Sequence, residues 1–341
     1  MNMRVQSRNN FDLWRLMLAT MVVLAHVGSL SQIGVFVNLD NIFNADFAVK
    51  SFFSISGYLI TKSYMSTSSK KLFFEKRIRR IYPAYILAVL FSFVLGLSTV
   101  KLPLSEVIFS HNSVKYLVSN LLFMNFLSPT LPTALEGNVV NAFNGSLWTL
   151  KNEMVFYLLT PGMIFLFRRY NAIVVTILLS LISMAWFIYF HYYYAAASGP
   201  EIARQFPGQL SYYVIGSLLA LCCYDHKIIL VIALISLIGF LGIQNEVVKS
   251  MLMPLTYTTI TIYMCVYAFP QIKIDKIGDL SYGIYLYHFP LIQIMVFNGL
   301  FNYNPWAALA LLLLILYAIS TISWRYIERP LLRRNVKASV V

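Results

Sequence analysis

Acid is scarce in this chain. Only 13 aspartate and glutamate residues stand against 26 lysines and arginines among 341 residues, and charged residues make up 11%. A soluble domain carries about twice that charged fraction, so a water-facing globule is excluded as the main architecture. Cysteine is scarcer still: Cys222, Cys223 and Cys265 lie in apolar stretches. Their positions suit packing and offer neither a metal spacing nor an extracellular disulfide framework. No alternating ten-residue pattern supports a barrel. No internal repeat marks an inverted-repeat transporter. No clear small-x-small site follows the first apolar stretch, so it is expected to stay as an uncleaved span.

What fills the chain is hydrophobic, 59% of it. The apolar residues fall into ten runs, near 12–30, 46–62, 80–100, 147–167, 172–190, 209–224, 228–242, 250–269, 281–299 and 306–326. Runs of this length predict an all-α, polytopic integral membrane protein with about ten transmembrane helices. The basic residues orient it. Numbering the loops alternately, one side receives Arg4, Arg8, Lys62, Lys70, Lys71, Lys76, Arg77, Arg79, Arg80, Arg168, Arg169, Lys227, Lys273, Lys276, Arg329, Arg333, Arg334 and Lys337. The other receives Lys101, Lys115, Arg204 and Lys249. By the positive-inside rule both termini are cytoplasmic. The net charge of +13 is therefore a topology signal and implies no nucleic-acid partner. One integral domain over 1–341 is expected, without a soluble C-terminal extension.

Two connections stand out. A cytoplasmic loop is expected from Lys62 to Arg80. An outer one, Lys101–Ser146, carries the apolar piece YLVSNLLFMNFL at 116–127, too short to span and expected to be re-entrant or interfacial.

Ionisable residues inside predicted spans are costly and mark function. Arg15 and His26 share the first span, eleven residues apart. Eleven steps return a helix to within roughly 20° of the same face, about 16 Å along its axis. His26 reads as a general base near neutral pKa or as a structural histidine bonded to a neighbouring helix. Glu153 is a carboxylate of similar expected depth, readable also as half of a structural ion pair. Trp148 suits an interfacial belt or a platform for a sugar ring. Lys76, Arg77, Arg79 and Arg80 crowd the cytoplasmic mouth of the third span. They serve as a topology anchor or as a phosphate clamp, for which the guanidinium fork is suited. Asp46 and Lys50 form an i,i+4 pair, followed by Ser54, Ser56 and Gly57, small residues that permit close helix approach. Tyr282 and His288 in the ninth span line a cofactor path or make structural hydrogen bonds.

In order along nearly the whole chain, these segments resemble the acyltransferase-3 family of membrane O-acyltransferases. The carrying residues are Arg15 with His26, FFSISGYLI, KRIRRIYPAY, GSLWTLKNEMVFYLL, GDLSYGIYLYHFPL and YIERPLLRR. Two positions depart from the pattern: no acidic residue directly precedes Phe52–Phe53, and Lys76 opens the basic segment. The resemblance implies transfer of an acyl group, usually from cytoplasmic acetyl-CoA, to a hydroxyl of an extracytoplasmic glycan such as O-antigen or exopolysaccharide. It places the protein in a bacterial inner membrane. His26 and Glu153 become catalytic expectations. Arg15, Lys76, Arg77, Arg79, Arg80, Tyr282 and His288 are expected to bind the donor, and Asp46, Lys50 and Trp148 the acceptor. No metal is implied. The partners are acyl-CoA, the glycan and membrane lipid. A transporter or flippase for a lipid-linked sugar is the competing function, and a signalling or lipid-binding protein without chemistry a third.

Overall fold

The structure, a computed structural model, describes residues 9–222, 225–272 and 278–333. Cys223 and six of the orienting basic residues (Arg4, Arg8, Lys273, Lys276, Arg334 and Lys337) lie outside the described residues. Among those described, every regular element is helical. The long helices are α1 Phe11–Ser31, α2 Ala45–Met65, α3 Lys70–Leu97, α4 His111–Leu121, α5 Trp148–Arg169 and α6 Ala172–Ile188. They continue with α7 Phe206–Leu221, α8 His226–Gly242, α9 Glu246–Val266, α10 Ser281–Phe297 and α11 Pro305–Ser323. Apart from α4, each occupies one of the ten apolar runs. Among the described residues, four stretches are long and apolar enough to cross a bilayer: Phe11–Ser31, Lys70–Leu97, Ala172–Tyr193 and Pro305–Leu332.

The side-chain distribution is that of a protein turned outward to lipid. In α6, Thr176, Ser180 and Ser183 are buried while Ile173, Val174, Ile177, Leu178, Leu181 and Ile182 are exposed. In α8, Ala233 and Ser236 are buried, and Ile228, Val231, Leu234, Ile235, Ile238 and Leu241 point out. Water would reverse this arrangement. In lipid, small and hydroxylated residues mediate helix contact and large aliphatic ones face the tails. The chain is a multi-pass membrane protein.

One expectation needs correction. The basic stretch is no loop, because α3 begins at Lys70 and includes it. Its residues KKLFFEKRIRR are mostly strong helix formers, and Glu75 pairs with Arg79 one turn on. The connection from α2 shrinks to Ser66–Ser69.

The helices group into two compact units. One comprises Met1–Arg15, Asp46–Phe74 and Asn152–Ile274; the other comprises Leu16–Ala45, Glu75–Lys151 and Asp275–Val341. In the first unit, α2 meets α7 at backbone range. A Cβ on Gly57 would lie 2.0 Å from Tyr213 O, and one on Gly216 would lie 2.3 Å from Ser54 O. Ser217 Oγ donates to Gly57 O at 3.1 Å, and Ser54 Oγ shares a hydrogen with Thr258 Oγ1 of α9 at 2.8 Å. In the second unit, α10 is buried on nearly all sides, from Ser281 to Gln293. A helix apolar all round belongs in such a position. Pro290 lies inside α10 and offers no N–H to the carbonyl four residues back. Asn144 Nδ2 donates to that carbonyl, Leu286 O, at 2.9 Å.

Candidate active site

His26 lies on α1, among Val22, Val23, Ala25 and Val27, all fully buried. His26 as a residue is of intermediate exposure. From α10 comes His288, with 0% exposure. His26 Nδ1 stands 2.8 Å from His288 Nε2. The rings are nearly parallel, at 10° with centroids 5.1 Å apart, and Phe289 meets the His26 ring edge-on at 5.3 Å. The other nitrogen of His288, Nδ1, is 2.8 Å from Tyr285 O and 3.2 Å from Ile284 O. Thus a buried imidazole is fixed to the backbone of its own helix and faces a second imidazole on α1. Such a pair can hold one ring in register to accept a proton.

Below it on α10, Tyr285 OH shares a hydrogen with Thr149 Oγ1 at 2.9 Å. Tyr282 OH donates to Ile81 O at 2.9 Å. The Arg80 guanidinium lies 5.6 Å from the Tyr282 ring centre, donates to Asp279, and has Nη1 3.7 Å from Glu328 Oε2. Arg79 donates to Glu75. Lys76 and Arg77 are half-buried on the same helix. Trp148, also half-buried, opens α5. Thus the second unit brings together His26, His288 and Tyr282 on two adjoining stretches, with the basic segment nearby through Arg80.

Glu153 belongs to the first unit. It accepts hydrogen bonds from Ser56 Oγ at 2.9 Å and from Tyr157 OH. Lys50, only 4% exposed, places Nζ 2.5 Å from Asp46 Oδ2 and 3.0 Å from Met253 Sδ. The Phe187 and Tyr212 rings lie 5.4 and 5.6 Å from the same ammonium. Arg15 sits half-buried on α1, in the same helix as His26 and without interruption between them. Among the described residues, no three His, Cys, Asp or Glu side chains cluster as a metal site requires. Cys222 and Cys265 are free thiols.

The sequence pointed to each of these positions singly. It did not couple His26 to His288, which stand 262 residues apart. The available signal was that both are histidines inside apolar spans, where a polar side chain needs a partner. It also missed the carboxylates on Arg80, Asp279 and Glu328.

A family model described as an acyltransferase domain matches residues 8–325. A protein of Shigella phage Sf6 described as an O-acetyl transferase is 25% identical over 274 residues, 77% of this chain and 78% of its own length. No solved structure matches.

Proposed function

The chain belongs to the acyltransferase-3 family, and from that premise we propose that it moves an acetyl group from cytoplasmic acetyl-CoA to a hydroxyl of an extracytoplasmic glycan, in a bacterial inner membrane, with His26 as general base. That it is an acyltransferase follows from the family itself. The acetyl group is supported by the phage O-acetyl transferase. The observation that carries the base assignment is the 2.8 Å contact of His26 with a backbone-anchored His288.

The step is direct. A ring nitrogen of His26 takes the hydroxyl proton as the acceptor oxygen attacks the thioester carbonyl carbon. The tetrahedral intermediate collapses, the C–S bond breaks, and the departing CoA thiolate takes the proton back from His26. The ester remains on the glycan and the base is regenerated. The charge bias supports a donor entering from the cytoplasmic side, where Lys76, Arg77 and Arg79 supply cations for CoA phosphates. Arg15, on the same helix as His26, is assigned to the donor as well. Glu153, held by Ser56 and Tyr157, and Asp46, Lys50 and Trp148 are assigned to the acceptor.

His26→Ala should abolish acetylation while leaving the protein at its normal level in the membrane. Mass spectrometry of the surface glycan should show a loss of about 42 Da for each missing acetyl group. A glycan that stays acetylated sinks the mechanism. A glycan absent from the surface altogether indicates transport of a lipid-linked sugar instead.

A further inference from the structure

The two histidines fix each other's hydrogens. His288 Nδ1 faces two carbonyl oxygens, Tyr285 O at 2.8 Å and Ile284 O at 3.2 Å. Carbonyls only accept, so Nδ1 must carry the N–H. A neutral imidazole has one N–H, and full burial disfavours the charged ring. His288 Nε2 is therefore left as a lone pair. That lone pair is 2.8 Å from His26 Nδ1, which must donate. It follows that His26 is the Nδ1–H tautomer, with its lone pair on Nε2.

We propose that His288 is a positioning residue: anchored to the α10 backbone through Nδ1, it locks His26 in the Nδ1–H tautomer and leaves His26 Nε2 as the nitrogen that takes the acceptor's proton. This assignment rests on His26 being the base. It replaces the sequence-level expectation of His288 in donor binding. The device has the logic of a serine-hydrolase triad, in which the third member selects the tautomer of the base and steadies it as it becomes cationic. Here the selector is a second imidazole, and its own tautomer is chosen by helix carbonyls one turn back. No proton travels beyond His26, because His288 Nδ1–H ends on carbonyl oxygens.

The alternative tautomer would be inert. If His288 presented an N–H at Nε2, His26 would have to accept through Nδ1. Its single hydrogen would then sit on Nε2, and no lone pair would face the acceptor. The anchoring geometry is thus the difference between a working base and a blocked one.

Three substitutions test this, assayed in membranes or detergent with acetyl-CoA and the glycan acceptor. His288→Phe keeps a ring and removes both nitrogens; kcat should fall about 10²–10⁴-fold, as in enzymes whose base loses its orienting partner. KM for acetyl-CoA should stay within about twofold, since no donor contact is removed. His288→Gln can present an amide oxygen toward His26 Nδ1 and should recover at least about tenfold over Phe. His288→Asn reaches the helix carbonyls but falls short of His26, and should be as slow as Phe. The Gln–Asn comparison stands even if Phe fails to accumulate. Wild-type kcat in Phe or Asn, Gln no faster than Asn, or a rise in donor KM with kcat unchanged overturns the assignment. An active His26→Ala would instead overturn the base reading beneath it, so the two failures are told apart.

Discussion

Lys50 shows how a single side chain can be costly and still retained. Its side chain is 5% exposed, and the carboxylate it holds, on Asp46, is 59% exposed. The ammonium has given up its water, while its partner has kept much of its own. Phe187 and Tyr212 offer ring faces to the cation, and such contacts contribute up to about 2 kcal/mol when desolvated. Removing one member of a buried pair costs more than replacing the charge with an apolar group of similar shape. Asp46→Ala should therefore lower stability by about 2–3 kcal/mol, because it strands the ammonium. Lys50→Met, beside Met253, should change it by less than about 1.5 kcal/mol. Thermal unfolding of the detergent-solubilised protein checks both. Equal losses in the two variants would mean that stranding the ammonium carries no extra cost. The i,i+4 spacing of this pair was legible in the sequence. Its aromatic surroundings were not, because they come from α6 and α7.

At the scale of elements, Arg80 ties three helical segments of the second unit together. It sits on α3, Asp279 immediately precedes α10, and Glu328 ends the wide turn Trp324–Glu328 that continues α11. That wide turn follows the i→i+5 pattern that tends to appear at functional positions. Ser281 Oγ donates to Asp279 Oδ1 at 2.6 Å, and Ser323 Oγ to Glu328 Oε1 at 3.1 Å. Gly278, with φ +83°, lies under Trp324, where an added Cβ would be 2.0 Å from Nε1. Three segments that resembled separate family landmarks, RRIYP, GDLSY and YIERP, thus converge on one guanidinium. A lysine offers no planar fork for two carboxylates. Arg80→Ala should cost about 3 kcal/mol, chiefly by leaving Glu328 buried and uncompensated, and this should appear as a lower unfolding temperature. Arg77→Ala should leave the unfolding temperature nearly unchanged and raise KM for acetyl-CoA. If instead Arg80→Ala raised donor KM without loss of stability, Arg80 would be a phosphate ligand. Sequence reading treated the four cations of the basic cluster alike, as a topology anchor or as a phosphate clamp. Only the carboxylates, some 200 and 250 residues further on, divide Arg80 from its neighbours.

For the whole molecule, helix positions were the most legible feature, since ten apolar runs each became a helix and period and length suffice for that. The division into two units was hidden. Among the described residues the chain passes between them at 15–16, 45–46, 74–75 and 151–152, within α1, at the start of α2, and within α3 and α5, where no change of composition marks a boundary. The region between α3 and α5 decides the topology of everything after it. Its helix α4 has 11 residues, about 16 Å, against a hydrocarbon core of about 30 Å. Ser113, Tyr116, Ser119 and Asn120 face inward, while Val114 and Val118 are exposed, with Leu122 and Phe126 beyond them. An apolar outer face over a polar inner one suits a helix lying in the membrane interface. With α4 in that position, Arg168 and Arg169 at the end of α5 fall on the cytoplasmic side, in line with the positive-inside rule. If α4 crossed, every later loop would change sides. Single-cysteine variants in a background lacking Cys222, Cys223 and Cys265 separate the two arrangements. A membrane-impermeant maleimide should label Lys115→Cys and Arg204→Cys in intact spheroplasts. It should reach Ser68→Cys and Arg169→Cys only after permeabilisation. Labelling of Arg169→Cys in intact spheroplasts, with Arg204→Cys protected, would require α4 to cross and would move Glu153 to the cytoplasmic half of its span, overturning its assignment to the acceptor.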